Sequence, residues 1–281
     1  MRDNIYLSSI VFNDKNLDEI VQICYRNNYN LEFSSNLKHE EKNIELFNHF
    51  TRKKLIHNYF PAPKIPFVLN LASRNKLILK KSIDHCKKNI LLSSKLNLPF
   101  YAAHAGFCID PDINSLGKKI LIKDKINRKI NLEIFIESLR EILDFADNEG
   151  VDFYFENNVL SKENYKSNNQ QNIFLCTDFQ DISIIFSELK SKNLGILLDT
   201  GHLKVSAKTL NLDLKSQTTN ILKYTKAVHH SENNGMNDQN LPYDKGYWFI
   251  PYLKNLESIY HVIEVKNISS KIITKQIDII L

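Results

Sequence analysis

Gly195-Ile196-Leu197-Leu198-Asp199-Thr200-Gly201-His202 decides how the chain is read. A short aliphatic run, bounded by glycine on one side and an acid on the other, is the pattern of a strand buried on both faces, as in a parallel sheet. Asp199 then stands where the strand leaves the sheet. Open and closed α/β folds place their chemistry at the carboxyl ends of parallel strands. The same residues also suit a plainer role, in which Asp199 caps a turn and His202 is an ordinary surface residue.

Working outward, strands are expected at 5–11, 29–33, 54–57, 99–103 and 151–155 before this stretch, and at 225–229 and 260–263 after it. Between them lie helical periodicities: Leu17, Ile20, Val21 and Cys24; residues 40–50; Leu79, Ile83, Cys86 and Ile90; and Leu132, Phe135, Ile136, Leu139, Ile142 and Leu143. Thr177-Asp178-Phe179-Gln180 has the form of a capping box opening a further helix, and another lies near 210–224. Pro61, Pro63 and Pro66 mark an irregular loop. Residues 160–172, rich in Asn, Gln and Lys, read as a flexible loop. Eight strands alternating with helices predict the α/β class and a single-domain (β/α)8 TIM barrel over residues 1–281. No Gly-x-Gly-x-x-Gly follows any strand, which disfavours a dinucleotide fold.

The 281 residues suit one such barrel, and a hydrophobic content of 43% supports a packed core. A net charge of +5, from 37 basic and 32 acidic residues without a long basic block, is too mild to call for a polyanion partner. Met1-Arg2-Asp3-Asn4 runs directly into the first strand without a signal pattern, and no apolar run approaches the ~18 residues of a membrane span. The four cysteines are far apart and lack a Cys-x-x-Cys, so inert thiols in a reducing cytoplasm are expected.

Just past the strands stand His57, His104, Glu156, Asp199, His229 and Glu264. In a barrel these strand ends face one opening. Crowded carboxylates repel unless a cation or proton separates them. Imidazoles among carboxylates suit a divalent transition metal, with Zn, Mn and Co all suitable. Singly, His57 and His104 could be hydrogen-bonded structural histidines and the glutamates surface acids; the joint placement points to a site. His39, His49, His85 and His261 receive no functional role.

Phe155-Glu156-Asn157, Leu198-Asp199-Thr200-Gly201-His202 and Val228-His229-His230-Ser231-Glu232-Asn233-Asn234-Gly235 resemble the xylose-isomerase-like barrel superfamily. That group includes sugar isomerases, ketose and inositol epimerases, and the endonuclease IV family. The resemblance implies that Glu156, Asp199, His229 and Glu264 hold one divalent metal, with His229 chosen over His230. Strand alternation supports a choice between these two neighbours without saying which faces inward. The resemblance to the endonuclease branch implies that His57 and His104 approach an additional metal. For a third metal the chain offers His202 and Asp238, but Asn240 stands where a second histidine would be. Amide oxygen is a poor zinc ligand beside imidazole.

The expected function is therefore a metal-dependent sugar or sugar-phosphate isomerase/epimerase. The resemblance implies a metal on two adjacent substrate oxygens, a cis-enediolate, Glu156 and Glu264 as base and acid, and His202 on a substrate hydroxyl. His57, His104 and Asp238 would serve a second metal or the substrate. The alternatives are a metal-dependent phosphodiesterase or endonuclease acting on nucleic acid, and a barrel without chemistry serving as a binding subunit. The expected partner is a small sugar or sugar phosphate rather than nucleic acid or membrane. The oligomeric state stays open between a monomer and a homo-oligomer.

Overall fold

A computed structural model describes residues 2–122 and 125–281. Its eight strands are β1 (Ile5–Ser8), β2 (Asn30–Phe33), β3 (Lys54–Ile56), β4 (Phe100–His104), β5 (Asp152–Glu156), β6 (Leu194–Asp199), β7 (Thr225–His230) and β8 (Tyr260–Ile263). They are all parallel, in the order β3-β2-β1-β8-β7-β6-β5-β4. β3 and β4 meet through the parallel bridge His57–Ala102, where Asn58 N donates to Ala102 O at 2.7 Å. The sheet is thus a nearly closed (β/α)8 TIM barrel. Helices connect its strands, the longest being Lys76–Lys95 and Arg128–Glu149. Among the described residues no helix is long and apolar enough to cross a membrane, and all four cysteines are free and buried.

Period-two alternation divides the strands between an inner and an outer face. Tyr6, Leu55, Phe100, Ala102, Tyr154, Leu197, Ala227 and Val262 form a cluster inside the barrel. The intervening residues, among them Leu7, Leu31, Ile56, Phe155, Ile196, Leu198, Val228 and Ile263, join the larger cluster under the helices. The inward set fills the lower barrel with side chains. Two residues beyond Leu55, Ala102, Tyr154, Leu197, Ala227 and Val262 the inward position is polar: His57, His104, Glu156, Asp199, His229 and Glu264.

Three local expectations change. The first strand ends at Ser8 rather than at 11, because Ser9 leaves the ladder to accept from Ser34 N at 3.0 Å and donate to Asn36 Oδ1 at 2.6 Å. The helix Phe179–Glu188, just before β6, begins with Asp178 as its N-cap, accepting from Gln180 N at 2.9 Å. Thr177 is not the cap; its hydroxyl is held by Asn172 Nδ2 at 2.6 Å. Residues 160–172 are ordered by a helix, Lys162–Ser167. Asn164 and Asn168 there are buried and accept from Ile120 N and Ile122 N, both at 2.8 Å. The amides read as solvated by composition are spent on the backbone of the long β4 connection.

Gly195 sits at the foot of β6, beside a bulge in which Lys226 falls between the pairs Ile196–Thr225 and Leu197–Ala227. A Cβ on Gly195 would stand 2.5 Å from Lys226 Cγ and 2.6 Å from Tyr154 Cδ1. Gly195→Ala should therefore destabilise the fold by about 1–3 kcal/mol, the usual cost of overpacking. Chemical denaturation should show a lower midpoint at unchanged slope.

Candidate metal centre

The centre is assembled at the upper rim of the barrel. Asp199 ends β6 and is also the N-cap of the helix Thr200–Leu210. Its Oδ1 accepts from His202 N at 2.6 Å, which satisfies the helix and leaves Oδ2 pointing inward. Asp199 thus caps a helix while its other oxygen faces the mouth, and His202, a surface residue in the plainer reading, is buried. Asn157 fixes the neighbouring geometry, donating to Asp199 O at 3.0 Å while accepting from Asp199 N at 2.7 Å. Its own carbonyl accepts from His202 Nδ1 at 2.8 Å. Gly201 has to be glycine, since a Cβ would lie 2.4 Å from Ser231 Oγ.

His229 lies at the middle of the constellation. Its Nδ1 is 3.1 Å from Glu264 Oε2, 3.3 Å from Glu156 Oε1 and 3.9 Å from Asp199 Oδ2. Glu156, Asp199, His229 and Glu264 can offer donor atoms all within 4.8 Å of one another. His229 Nε2 donates to Glu32 Oε2 at 3.0 Å, so that Nδ1 is the nitrogen turned to the cluster, where a metal would take the place of its proton. Hydrogen bonding of a ligating imidazole through its other nitrogen to a carboxylate is the usual support of metal-binding histidines. Glu32 was not among the candidates; its signal was an acid near the end of the second strand, two residues after Asn30 on the same face.

His230 belongs to the other face. Its Nε2 is 2.9 Å from His261 Nδ1, and its Nδ1 is 3.3 Å from the Tyr247 hydroxyl. Alternation thus places His229 inward and His230 among the helices. His261 acts as a structural link, its Nε2 donating to Leu256 O at 3.0 Å.

The remaining candidates border the same cluster. His57 Nε2 is 2.8 Å and His104 Nδ1 3.2 Å from Glu156 Oε2, and these three form a second set of clustered donors. His57 Nδ1 lies 3.2 Å from Ser34 Oγ. His202 Nε2 faces Asp238 Oδ2 at 3.5 Å and Asp199 Oδ2 at 3.9 Å. Asn240 is buried, and its backbone carbonyl accepts from Lys266 N at 2.9 Å.

The donor set suits a divalent cation. Glu156 Oε1 and Asp199 Oδ2 are buried without a hydrogen-bond partner of ordinary geometry, and both converge on His229 Nδ1, at 3.3 and 3.9 Å. Such orphaned buried acceptors are costly unless something positive completes them. Burial opposes charge on Glu156, but the imidazoles of His104, His57 and His229 hold its carboxyl well below the usual range. For Glu264, burial is likewise outweighed by His229, and the carboxyl falls to about 2. Asp199 goes the other way. Burial pushes its carboxyl well above the ordinary value and the charges of Glu264 and Glu156 add to this, against the pull of His202. Burial lowers His104 to about 4 despite Glu156, leaving a neutral imidazole at the rim.

A parallel barrel with an imidazole–carboxylate cluster at its C-terminal mouth defines a recognised architectural class. Within it, the chain belongs to the xylose isomerase-like TIM barrel family, whose profile matches residues 15–269. No curated protein sequence matches the chain significantly. Among solved structures it is similar to a D-tagatose 3-epimerase-like protein, with 21% identity, a TM-score of 0.71, and coverage of 99% of this chain and 98% of that one. It is also similar to an AP endonuclease, family 2, from Brucella melitensis, at 15% identity and a TM-score of 0.65 over 96% and 95% of the two chains. The IOLI protein with a bound zinc atom matches at 13% identity and a TM-score of 0.64, over 99% and 94%.

The Glu32–His229 bond gives a direct test. Glu32→Ala should weaken uptake of added Zn²⁺ by about 10–100-fold, the usual cost of losing such a supporting partner. Glu32→Gln, which keeps an acceptor oxygen, should lose less. Titration against a competing chelator measures both.

Proposed function

We propose that the protein is a metal-dependent isomerase or epimerase of a sugar, acting by proton transfer at a carbon beside a carbonyl. One observation carries this: Glu156 and Glu264 both reach the same imidazole nitrogen, at 3.3 and 3.1 Å, within a complete four-donor set. In this reading Glu156, Asp199, His229 and Glu264 hold one Zn, Mn or Co ion. When bound, the ion supplies positive charge opposite substrate oxygens on which negative charge develops. The similarity to a D-tagatose 3-epimerase-like structure supports the reading.

The two glutamates flank the reacting carbon, one accepting its proton and the other returning one, through an enediolate. Glu264 is the more exposed of the pair, at 8% against 1% for Glu156, and so lies nearer the incoming substrate. His202 is turned by Asn157 so that Nε2 faces the mouth, where it orients a substrate hydroxyl. His104, a neutral imidazole, and His57 both lie against Glu156 Oε2. The four free thiols fit a cytoplasmic location.

A second reading, a metal-dependent phosphodiesterase acting on nucleic acid, is favoured by the His57–His104–Glu156 set, which could take a second, weaker ion. Against it stand Asn240, in the position where another imidazole is needed, and the mild charge of +5. A barrel without chemistry would have no use for four buried converging donors.

The test is incubation in heavy water with ketoses, aldoses and their phosphates, followed by NMR, with an abasic-site duplex alongside. Deuterium should enter a carbon next to a carbonyl. Glu264→Gln should reduce this exchange at least about 100-fold, since general acid–base groups contribute about 10²–10⁴-fold. Metal-dependent nicking of the duplex, with no deuterium in any sugar, would favour the second reading instead.

A further inference from the structure

We infer that Tyr247 and Thr200 are positioning residues of the metal centre: their hydroxyls, in series, set where His229 and Asp199 stand relative to each other. This rests on the metal-centre reading above and adds a support that reaches the site from the outer face of the barrel. Neither residue lines the cavity of about 650 Å³ that adjoins the centre at His104 and His202. The pair therefore acts on the backbone of the ligands and not on a substrate.

The need for it arises where the ladder between β6 and β7 stops. Asp199 and His229 are its last paired residues. Beyond Asp199 the chain turns into the helix Thr200–Leu210, so β6 has no strand residue left to face Ser231. The Thr200 side chain takes over. Its hydroxyl donates to His229 O at 3.0 Å, with Ser231 O further off at 3.3 Å, and accepts from Ser231 N at 3.3 Å. One side chain thus ties two ligands together: Thr200 follows Asp199 directly, and it holds the carbonyl of His229. Thr200, His229 and Ser231 are fully buried, so these groups must be paired within the protein.

A threonine hydroxyl has one hydrogen and rotates to suit its neighbours. Tyr247 removes that freedom. Its hydroxyl donates to Thr200 Oγ1 at 2.6 Å, while His230 Nδ1 lies further from it at 3.3 Å. With Tyr247 and Ser231 N both donating to Thr200 Oγ1, the acceptor sites of that oxygen are filled. Its own hydrogen is left for His229 O. Tyr247 is itself fixed. Its ring stacks on that of Tyr243, with centroids 4.6 Å apart. The backbone of Tyr243 pairs with the Gln276 side chain, at 2.8 and 2.9 Å, on the C-terminal helix Ser270–Ile280. The centre is in this way braced from the C-terminal helix through two tyrosines and a threonine.

The experiment is titration of the metal-free protein with Co²⁺, read by the visible absorption of the bound ion, with chemical denaturation alongside. Tyr247→Phe keeps the ring and removes the hydroxyl. It should weaken Co²⁺ binding about tenfold, the lower end of the usual cost of losing a support behind a metal ligand, and alter the absorption bands. Thr200→Val should do the same, and the double variant should lose clearly less than the product of the two separate losses. Thr200→Ser, which keeps the hydroxyl, should bind Co²⁺ like the wild type. Tyr243→Phe is the control. It removes a buried hydroxyl from the same stacked pair, one that donates to Gln276 O at 3.3 Å and not to Thr200. It should leave Co²⁺ affinity and absorption unchanged, whatever it does to the denaturation midpoint. Should Tyr247→Phe fail to fold, the contrast between Thr200→Val and Thr200→Ser decides in its place. Wild-type affinity and spectrum in Tyr247→Phe or Thr200→Val, independent losses in the double variant, or an equal loss in Tyr243→Phe would overturn the inference and leave the metal-centre reading intact. A wild-type chain that takes up no Co²⁺ would overturn both.

Discussion

Three carboxylates and an imidazole share a buried space at the mouth of this barrel, and their mutual electrostatics govern the surroundings. Glu156, Asp199 and Glu264 are each within 4 Å of His229 Nδ1 and almost wholly buried. Like charges at such separations cannot all persist without compensation. In the protein alone, compensation comes from the histidines and from a raised Asp199 carboxyl. A divalent ion would replace those protons. The backbone holds the groups in place whatever the compensating charge: Asp199 by its helix cap, His202 by Asn157, and His229 by Glu32.

The barrel makes this crowding affordable by separating stability from chemistry. Outward residues of every strand pack under the helices, and inward residues of the lower barrel close its interior with aromatic and aliphatic side chains. The inward ionisable groups that face one another lie at the upper rim, while Asn30, level with Tyr6, is a polar exception lower down. The long β4 connection, pinned by Asn164 and Asn168, borders the cavity beside the mouth.

Much of this was legible in the sequence, because parallel strands announce themselves as short aliphatic runs and their last residues must share a rim. Asp199, Glu156, His229 and Glu264 were visible for that reason, as were His57 and His104. Glu32 was overlooked because it precedes Phe33 at the strand end, although its alternation with Asn30 turns it inward. The pairing of His230 with His261 joins residues far apart in sequence and leaves no local pattern. The resemblance chose His229 over His230, and the phase of the alternation, with Ala227 inside and Val228 outside, gives the physical reason that composition alone did not. Residues 160–172 misled by composition, because amides that usually meet water here replace strand-like backbone partners.

The central claim is that the convergence of Glu156, Asp199, His229 and Glu264 is a metal site. Elemental analysis of protein purified without chelator tests it most directly. The account predicts at least one tightly held divalent transition metal per chain, lost in Asp199→Ala while circular dichroism shows the barrel intact. Native protein that contains no such metal, and takes up none when Zn²⁺, Mn²⁺ or Co²⁺ is supplied, would contradict it.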